Sequence, residues 1–586
     1  MKHYISRKMF LRILRPSLIA AVTLSLSDIA DALVIGNNMG RNGLAAVGLI
    51  TPLYLFLNFA GYAFSTGGCV THSRFAAEGR DAEALCHFKT LVVMALGEGL
   101  LMAAGGNLLM HPLLDLLGAD EGGTVLYTLC EQYARPLVTA IPVFLLNYVL
   151  YDFVRCDDNA PLASFGFSAG CIIDLGLNIW FVIGLGLGIR GLIIATIIAQ
   201  AVSVMILSTH LLGSRGILKI RFLIHAKLCP VRTVRRSVRT GLSSSIRFVF
   251  QLLFLLLGNR LLLRAGKAGL IDGGLYVAVF DLVMNVSYVL YGVYQAFSDT
   301  MQPLASTFSA EHDRDNLRFL IRIAVGTGLA AGTLCAAAAA VLAGQVSGLF
   351  GLAEKEALTV SVPAIRLFCL STPAAGILII MTGFFQSTGH IRLSGTVTMF
   401  RTAVFLLPVT LLAGMFFPER FWWLFVIADG LSMLAMLILS RLPAFRRQSI
   451  RVPVYSAAMD NHNHELKRVL DGVAAFCEQT HTPERETVII RLAVEELCMV
   501  TMERAFSGKP DEYIQLTLAR EMNGDYTLHI RNSAPFFNPL DLNMAKISRE
   551  MQDELMDSIG VMMVREKVKS LRFRHYQGFN LMTVVI

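Results

Sequence analysis

Asp31 and Asp174 are carboxylates in stretches apolar enough to lie inside a membrane: Asp31 falls within the run 16–35, and Asp174 sits in the middle of 165–183. A central Asp costs roughly 2.5–3.5 kcal/mol on insertion scales, so such residues are rare and tend to be functional. Two of them in one half of a chain suggest a site that handles protons or cations. The competing reading is a structural Asp, hydrogen-bonded inside a helix bundle. Glu98, Asp281 and Asp299 are further acids in apolar runs, with Asp299 expected at the membrane edge and in water. Arg247 and Arg401 are intramembrane cations that pair with carboxylates, snorkel, or bind anionic groups.

Helices must hold these groups at depth. The chain has 586 residues, 54% hydrophobic and 16% charged, with mean hydropathy +0.58. Soluble domains average about 25% charged residues, which places this chain in a membrane. Apolar runs continue to about residue 442, and beyond it charges return at a soluble density. The net charge of +8 lies largely in loops, where it reports orientation rather than nucleic-acid binding. The ten cysteines form no C-x-x-C pair, and they read as small hydrophobes on a reducing side, not as disulfides or metal ligands. The basic segment 1–15 imitates a signal peptide, but no small-x-small cleavage site follows in the expected place, and Asp28 and Asp31 interrupt the apolar run. An uncleaved first helix is expected.

The periodicity predicts an all-α polytopic membrane protein of twelve spans: 14–36, 43–71, 89–111, 124–154, 160–186, 190–213, 238–263, 274–304, 318–343, 359–386, 393–415 and 419–441. Basic residues gather in alternate loops, which puts both termini in the cytoplasm. FAAEGRDAEAL (75–85) after the second span is echoed by FSAEHDRDNL (308–317) after the eighth. The expected plan is therefore two six-helix repeats, 1–213 and 238–442, joined by a basic loop at 214–237. A linker at 443–460 then leads to a cytoplasmic α+β domain at 461–586, with helix patterns near 463–479, opening at Thr482-Pro483-Glu484, and near 555–569, and strand patterns at 513–521, 526–532, 571–576 and 579–586.

The membrane part resembles the multidrug and toxic compound extrusion (MATE) family of cation-coupled antiporters. The likeness rests on DALVIGNNMGRNGLAAVGLITPL (31–53), IIDLGLNIWFVIGLGLGIRGLIIAT (172–196), GLSSSIRFVFQ (241–251), GVYQAFSDTMQPLASTFSAE (292–311) and FFQSTGH (384–390). The resemblance implies that Asp31 is the first-helix Asp of cation coupling. The fifth helix, usually N-x-x-x-D or N-x-x-x-N, here reads Asp174-x-x-x-Asn178, which moves the acid one turn along the same face. Thr196 falls on a polar position of the sixth helix. Gln251 stands where some members carry Glu, and Arg401 matches a recurrent Arg of the eleventh helix.

The tail resembles the ATPase fold of anti-sigma-factor and histidine kinases in LAVEELCMVTMERAF (492–506), HIRNSAPFFNP (529–539) and SIGVMMVREKV (558–568). Glu496 and Gly560 survive from its boxes. Val500 replaces the metal-holding Asn, Asn532 the adenine-binding Asp, and Ala534 a loop Gly. The resemblance with these losses implies a degenerate, non-catalytic domain that regulates or binds a protein partner.

The function expected is efflux of small organic, cationic compounds across the bacterial inner membrane by proton- or sodium-coupled antiport, with no catalytic residue, metal or cofactor and no nucleic acid. The alternatives are a lipid-linked precursor flippase of the same superfamily and a membrane sensor acting through the tail.

Overall fold

The computed structural model describes the chain outside residues 1–2, 118, 120–122, 214–215, 226, 351, 353, 443–451, 507–511, 542–551 and 577; the side chains of 25–26, 28–33, 35–42, 44–45, 224, 231, 244, 463, 541 and 552–558 also lie outside the description. The first half comprises α1 (Tyr4–Ala77), α2 (Asp81–Leu108), α3 (Met110–Leu116), α4 (Gly123–Thr139), α5 (Ile141–Cys156), α6 (Ala160–Asn178), α7 (Gly188–Leu212) and α8 (Ile220–His225). The second half holds α9 (Val231–Lys267), α10 (Gly273–Ala310), α11 (Arg314–Val341), α12 (Ala343–Leu349), α13 (Lys355–Ser387), α14 (Ile391–Met399), α15 (Leu406–Phe416) and α16 (Trp423–Arg441). The tail runs β1 (Val454–Asp460), α17 (Asn463–Gln479), α18 (Glu484–Val500), β2 (Tyr513–Arg520), β3 (Tyr526–Asn532), α19 (Gln552–Lys567), β4 (Ser570–Tyr576) and β5 (Phe579–Val585).

Among the described residues, ten helices are long and apolar enough to cross a membrane, or eleven if α4 and α5 form one bent span. The run 124–154, expected as one span, bends by 53° at Ala140. Pro136 inside α4 and Pro142 at the start of α5 each remove a backbone donor there. The expected spans 14–36 and 43–71 are joined in the continuous α1. A straight helix of that length would extend roughly 110 Å. Yet the Arg12 guanidinium lies against Gly578, and the Arg572 guanidinium against Gly79, at one hairpin of the tail. α1 therefore turns back on itself while remaining helical.

The two halves have separate cores. One gathers Phe88, Phe144 and Phe153, and the other Phe280, Phe368 and Phe425. The halves touch where Gly67 of α1 meets Gly241 of α9, with backbone against backbone. A methyl group on Gly67 would strike the Ser237 carbonyl, so only glycine permits this approach. A further cluster ties Met9 and Phe10 of α1 to Phe297 and Phe308 of α10 and to Tyr576 and Phe579 of the tail.

The tail is a two-layer α+β unit with an antiparallel sheet in the order β1-β2-β3-β5-β4. Leu516, Leu528, Ile530 and Val584 face the helices. Strand alternation then puts Gln515, Thr517, His529, Arg531, Arg572 and Arg574 on the other face. Residues 454–460, expected as linker, form the edge strand β1 against β2. Its alternation is weak, with only Met459 buried, so its partner rather than its composition makes it a strand.

The structure also corrects the cysteine reading. Cys69 of α1 and Cys156 of α5 form a disulfide, with Cα atoms 5.9 Å apart. They lie 87 residues apart, and only the tertiary packing of these helices brings them together.

Candidate transport and tail sites

Asp174 and Asn178 lie one turn apart on α6, both buried, and the Asn178 amide donates to Asp174 Oδ1 at 3.4 Å. α6 packs antiparallel on α7, with Gly166 against Leu207 and Gly170 against Ser203. That register sets Asn178 level with Thr196, whose hydroxyl donates to its own helix at Leu192 at 3.2 Å. A wide turn at Ile179–Gly184 follows Asn178 and ends α6 below the site. Around this pair the first half gathers polar groups not singled out from the sequence. Asn147 of α5 receives the Ser203 hydroxyl at 3.0 Å and donates to Gln200. Tyr54 and Tyr133 join hydroxyls at 3.0 Å, and Tyr148 donates to Asn58. Asn147 and Gln200 were findable by the same signal as Asp174, a polar side chain in an apolar run. Asp31 lies on α1, but its side chain is outside the described residues.

In the second half, Arg247 of α9 donates to Gln295 Oε1 at 2.7 Å and lies over the Tyr62 and Phe248 rings. Gln295 donates on to Asp299 at 2.7 Å. Asp299, expected in water, instead receives Gln302 at 3.4 Å and lies 3.4 Å from Arg155 of the first half. Arg155 is buried and also holds Asp152 at 2.7 Å. A relay of charged and amide groups thus crosses from one half to the other. Arg401 sits in a wide turn, Phe400–Val404, which aims it at Asp429 of α16 at 3.4 Å and over the Tyr291 ring. Gln251 donates to the Tyr288 hydroxyl at 3.2 Å.

The tail approaches both halves. Asp157, in the α5–α6 connection, accepts the backbone amides of Ile217 and Leu218 at 2.9 and 2.8 Å. His72 and His210 stand 3.2 and 3.1 Å from its oxygens, and Arg574 of the tail 3.6 Å. Burial pushes the Asp157 carboxyl up, but hydrogen bonds with His210 and His72 outweigh it and hold the group below the usual carboxylate range. On the other half, Arg531 pairs with Glu311 and lies 3.6 Å from Asp313, in the turn between α10 and α11.

The positions of the former nucleotide boxes are filled by the chain itself. Val500 is buried at the end of α18 and offers no oxygen. Asn532 accepts the Asn580 amide at 2.9 Å and the Ala534 backbone amide at 3.3 Å. Asn580 also donates to the Pro535 carbonyl at 2.9 Å, which closes the loop around Ala534. Glu496 lies so close to Gly560 that a methyl group there would collide with its carboxylate. The arrangement ties the loops together and supplies no side-chain oxygen at Val500 for a metal.

The MatE family model matches residues 16–180 and 260–412, more than half of the chain, and the histidine kinase-like ATPase domain model matches 460–586. The DNA damage-inducible protein F of Escherichia coli (strain K12) is 31% identical over 214 residues, 35% of this chain and 44% of that protein. The probable multidrug resistance protein YoeA of Bacillus subtilis (strain 168) is 21% identical over 200 residues, 33% of this chain and 42% of that one. The chain thus spans less than half the length of these curated relatives. A mutant of the Vibrio cholerae MATE transporter VcmN shares the fold with a TM-score of 0.67 at 20% identity, covering 76% of this chain and 99% of that one. A MOP superfamily transporter from Pyrococcus furiosus, described for the reverse polarity of its binding pocket, shares it with a TM-score of 0.67 at 19% identity, covering 76% and 97%. This chain is a multi-pass membrane protein of the MatE family that carries a histidine kinase-like ATPase domain at its C-terminal end.

Proposed function

We propose that the protein exports small organic cations across a bacterial inner membrane, with its termini and tail in the cytoplasm, by exchange for protons or sodium ions. The observation that carries this reading is the buried Asp174–Asn178 pair, an ionisable carboxylate beside an amide within a polar cluster of the first half. Asp31 is the second coupling carboxylate of the proposal. A carboxylate at depth binds a proton or a cation and releases it when the site changes sides. Thr196 and Gln251 serve as neutral polar positions. Arg401 is engaged by Asp429 and Arg247 by Gln295, so both are occupied within the protein, which favours cationic cargo over an anionic lipid headgroup.

The tail is proposed as a regulator rather than an ATPase, because Val500, Asn532 and Ala534 stand where the metal-holding Asn, the adenine-binding Asp and the loop Gly of the resembled fold would be. Dye efflux from proteoliposomes under separately imposed pH and sodium gradients tests the whole reading. One gradient is expected to drive efflux, and Asp174→Asn to abolish it. Efflux that ignores both gradients would overturn the coupling, and movement of a lipid-linked precursor alone would favour a flippase.

A further inference from the structure

The face of the tail sheet opposite its helices grips the same turn in each half of the transporter. In the second half this is the turn after α10. There Arg531 is buried between Glu311 and Asp313, and Asp313 also accepts from Gln515 at 3.2 Å and Thr517 at 3.3 Å. His312 lies 3.7 Å from Glu521. In the first half it is the turn after α1, where Arg572 lies against Gly79. Gly79 and His312 hold the same place in the repeated loops 75–85 and 308–317, and both have left-handed backbone, φ 68° and 59°. Arg574 adds the contact with Asp157. The strands that carry these groups, β2, β3 and β4, belong to one hydrogen-bonded sheet with β5 between β3 and β4, so the spacing between the two turns is set by a rigid element.

We propose that this sheet face is an intramolecular docking surface whose partner is the pair of repeat-related cytoplasmic turns, and that while seated it clamps the two halves with the Gly67–Gly241 seam closed. The proposal rests on the transporter reading, since alternating access requires the cytoplasmic ends of the halves to part. The chemistry of the contact suits a clamp. Glu311 and Asp313 are acids buried against a buried guanidinium, and burial pulls Arg531 down to about 9, so it is still charged at neutral pH. Parting the halves with the sheet seated on both would pull at least one of these groups from its partner, and an unpaired buried charge is costly.

Hydrogen exchange on the full chain in lipid nanodiscs tests this. Wild type is compared with Arg531→Glu plus Arg574→Glu, and with Glu311→Gln plus Asp313→Asn, which leaves the tail sequence intact. We expect exchange about tenfold faster or more at the turns 75–85 and 308–317 and at the seam segments 60–70 and 237–245, with the tail core 513–532 unchanged. Adding Glu311→Arg to Arg531→Glu should restore slow exchange at 308–317. Unchanged turns in both variants would show that the face is not docked. Exposed turns with an unchanged seam would show docking without restraint, and either result overturns the clamp. If Arg531→Glu unfolds the tail core, the Glu311 and Asp313 variant decides. No substrate or gradient is present, so a failed efflux assay would count against the transport reading and leave this result standing.

Discussion

At the scale of single residues, the helix face that a carboxylate occupies is expected to matter more than its exact place along that face. Exchanging Asp174 and Asn178 keeps one carboxylate and one amide on the same face of α6, one turn apart. The double variant is expected to retain more gradient-driven efflux than Asp174→Asn alone; equal loss in both would show that the carboxylate is needed at its own depth. Asp31→Asn should abolish coupled efflux while the protein still inserts, measured as dye transport normalised to membrane abundance. Asp157 has a structural task, since it holds two histidines, two backbone amides and Arg574 at once. Removing one member of such a buried set costs ~3–5 kcal/mol, so Asp157→Ala should lower the thermal transition of the purified protein by several degrees. Asp174 was legible because a lone charge in an apolar run is conspicuous. Asp157 was not, because its partners lie on α1, α7 and the tail, and sequence distance hides them.

At the scale of elements, the tail helices and four of the five strands follow from hydrophobic period and turn residues. The edge strand β1 does not, because a strand with one buried side chain in seven is defined by its neighbour. The wide turns at Ile179–Gly184 and Phe400–Val404 were also invisible, since one extra residue in a turn leaves no mark on composition. The docked sheet face carries a pH dependence. Burial lowers His529 from 6.5 to about 4, against the opposing pull of Glu521, with Glu311 3.8 Å away and His312 and Arg531 also close. Below 6.5 the unfolded tail binds a proton that the folded tail refuses, so stability falls as pH drops from about 6.5 towards 4. The loss is bounded at ~3 kcal/mol, and Glu311 reduces it by favouring the charged ring. Thermal melts of the full chain across this range should show the tail transition falling with acid, and His529→Gln should flatten the trend.

At the scale of the whole molecule, membrane and tail parts divide the chemistry. Removal of the chain beyond about residue 450 is expected to leave efflux competent and, through loss of the clamp, faster at the same membrane abundance. Loss of efflux on truncation would make the tail part of the transport machinery itself. Residues 453–586 made alone should bind Mg-ATP only in the millimolar range or weaker, because Val500 offers the metal nothing and Asn580 occupies Asn532. Micromolar, magnesium-dependent binding by calorimetry would contradict this. The twofold plan of the membrane part was readable from the echo of 75–85 in 308–317. That one sheet face would seat on both copies was not, because a repeat says which loops are alike and nothing about what touches them.

The seating of β3 and β4 also bears on how the protein is made. Arg574 and Arg572 leave the ribosome long after Asp157 and Gly79, the groups they meet in the first half, and Arg531 long after Glu311 in the second. The tail sheet can seat on both turns only after the two halves have been threaded into the bilayer and brought side by side. A nascent chain with a misplaced half presents one turn, and the sheet face stays bare, with Arg531, Arg572 and Arg574 in water. Seating of this surface is therefore a late step in the maturation of the chain, one that follows the placement of both halves.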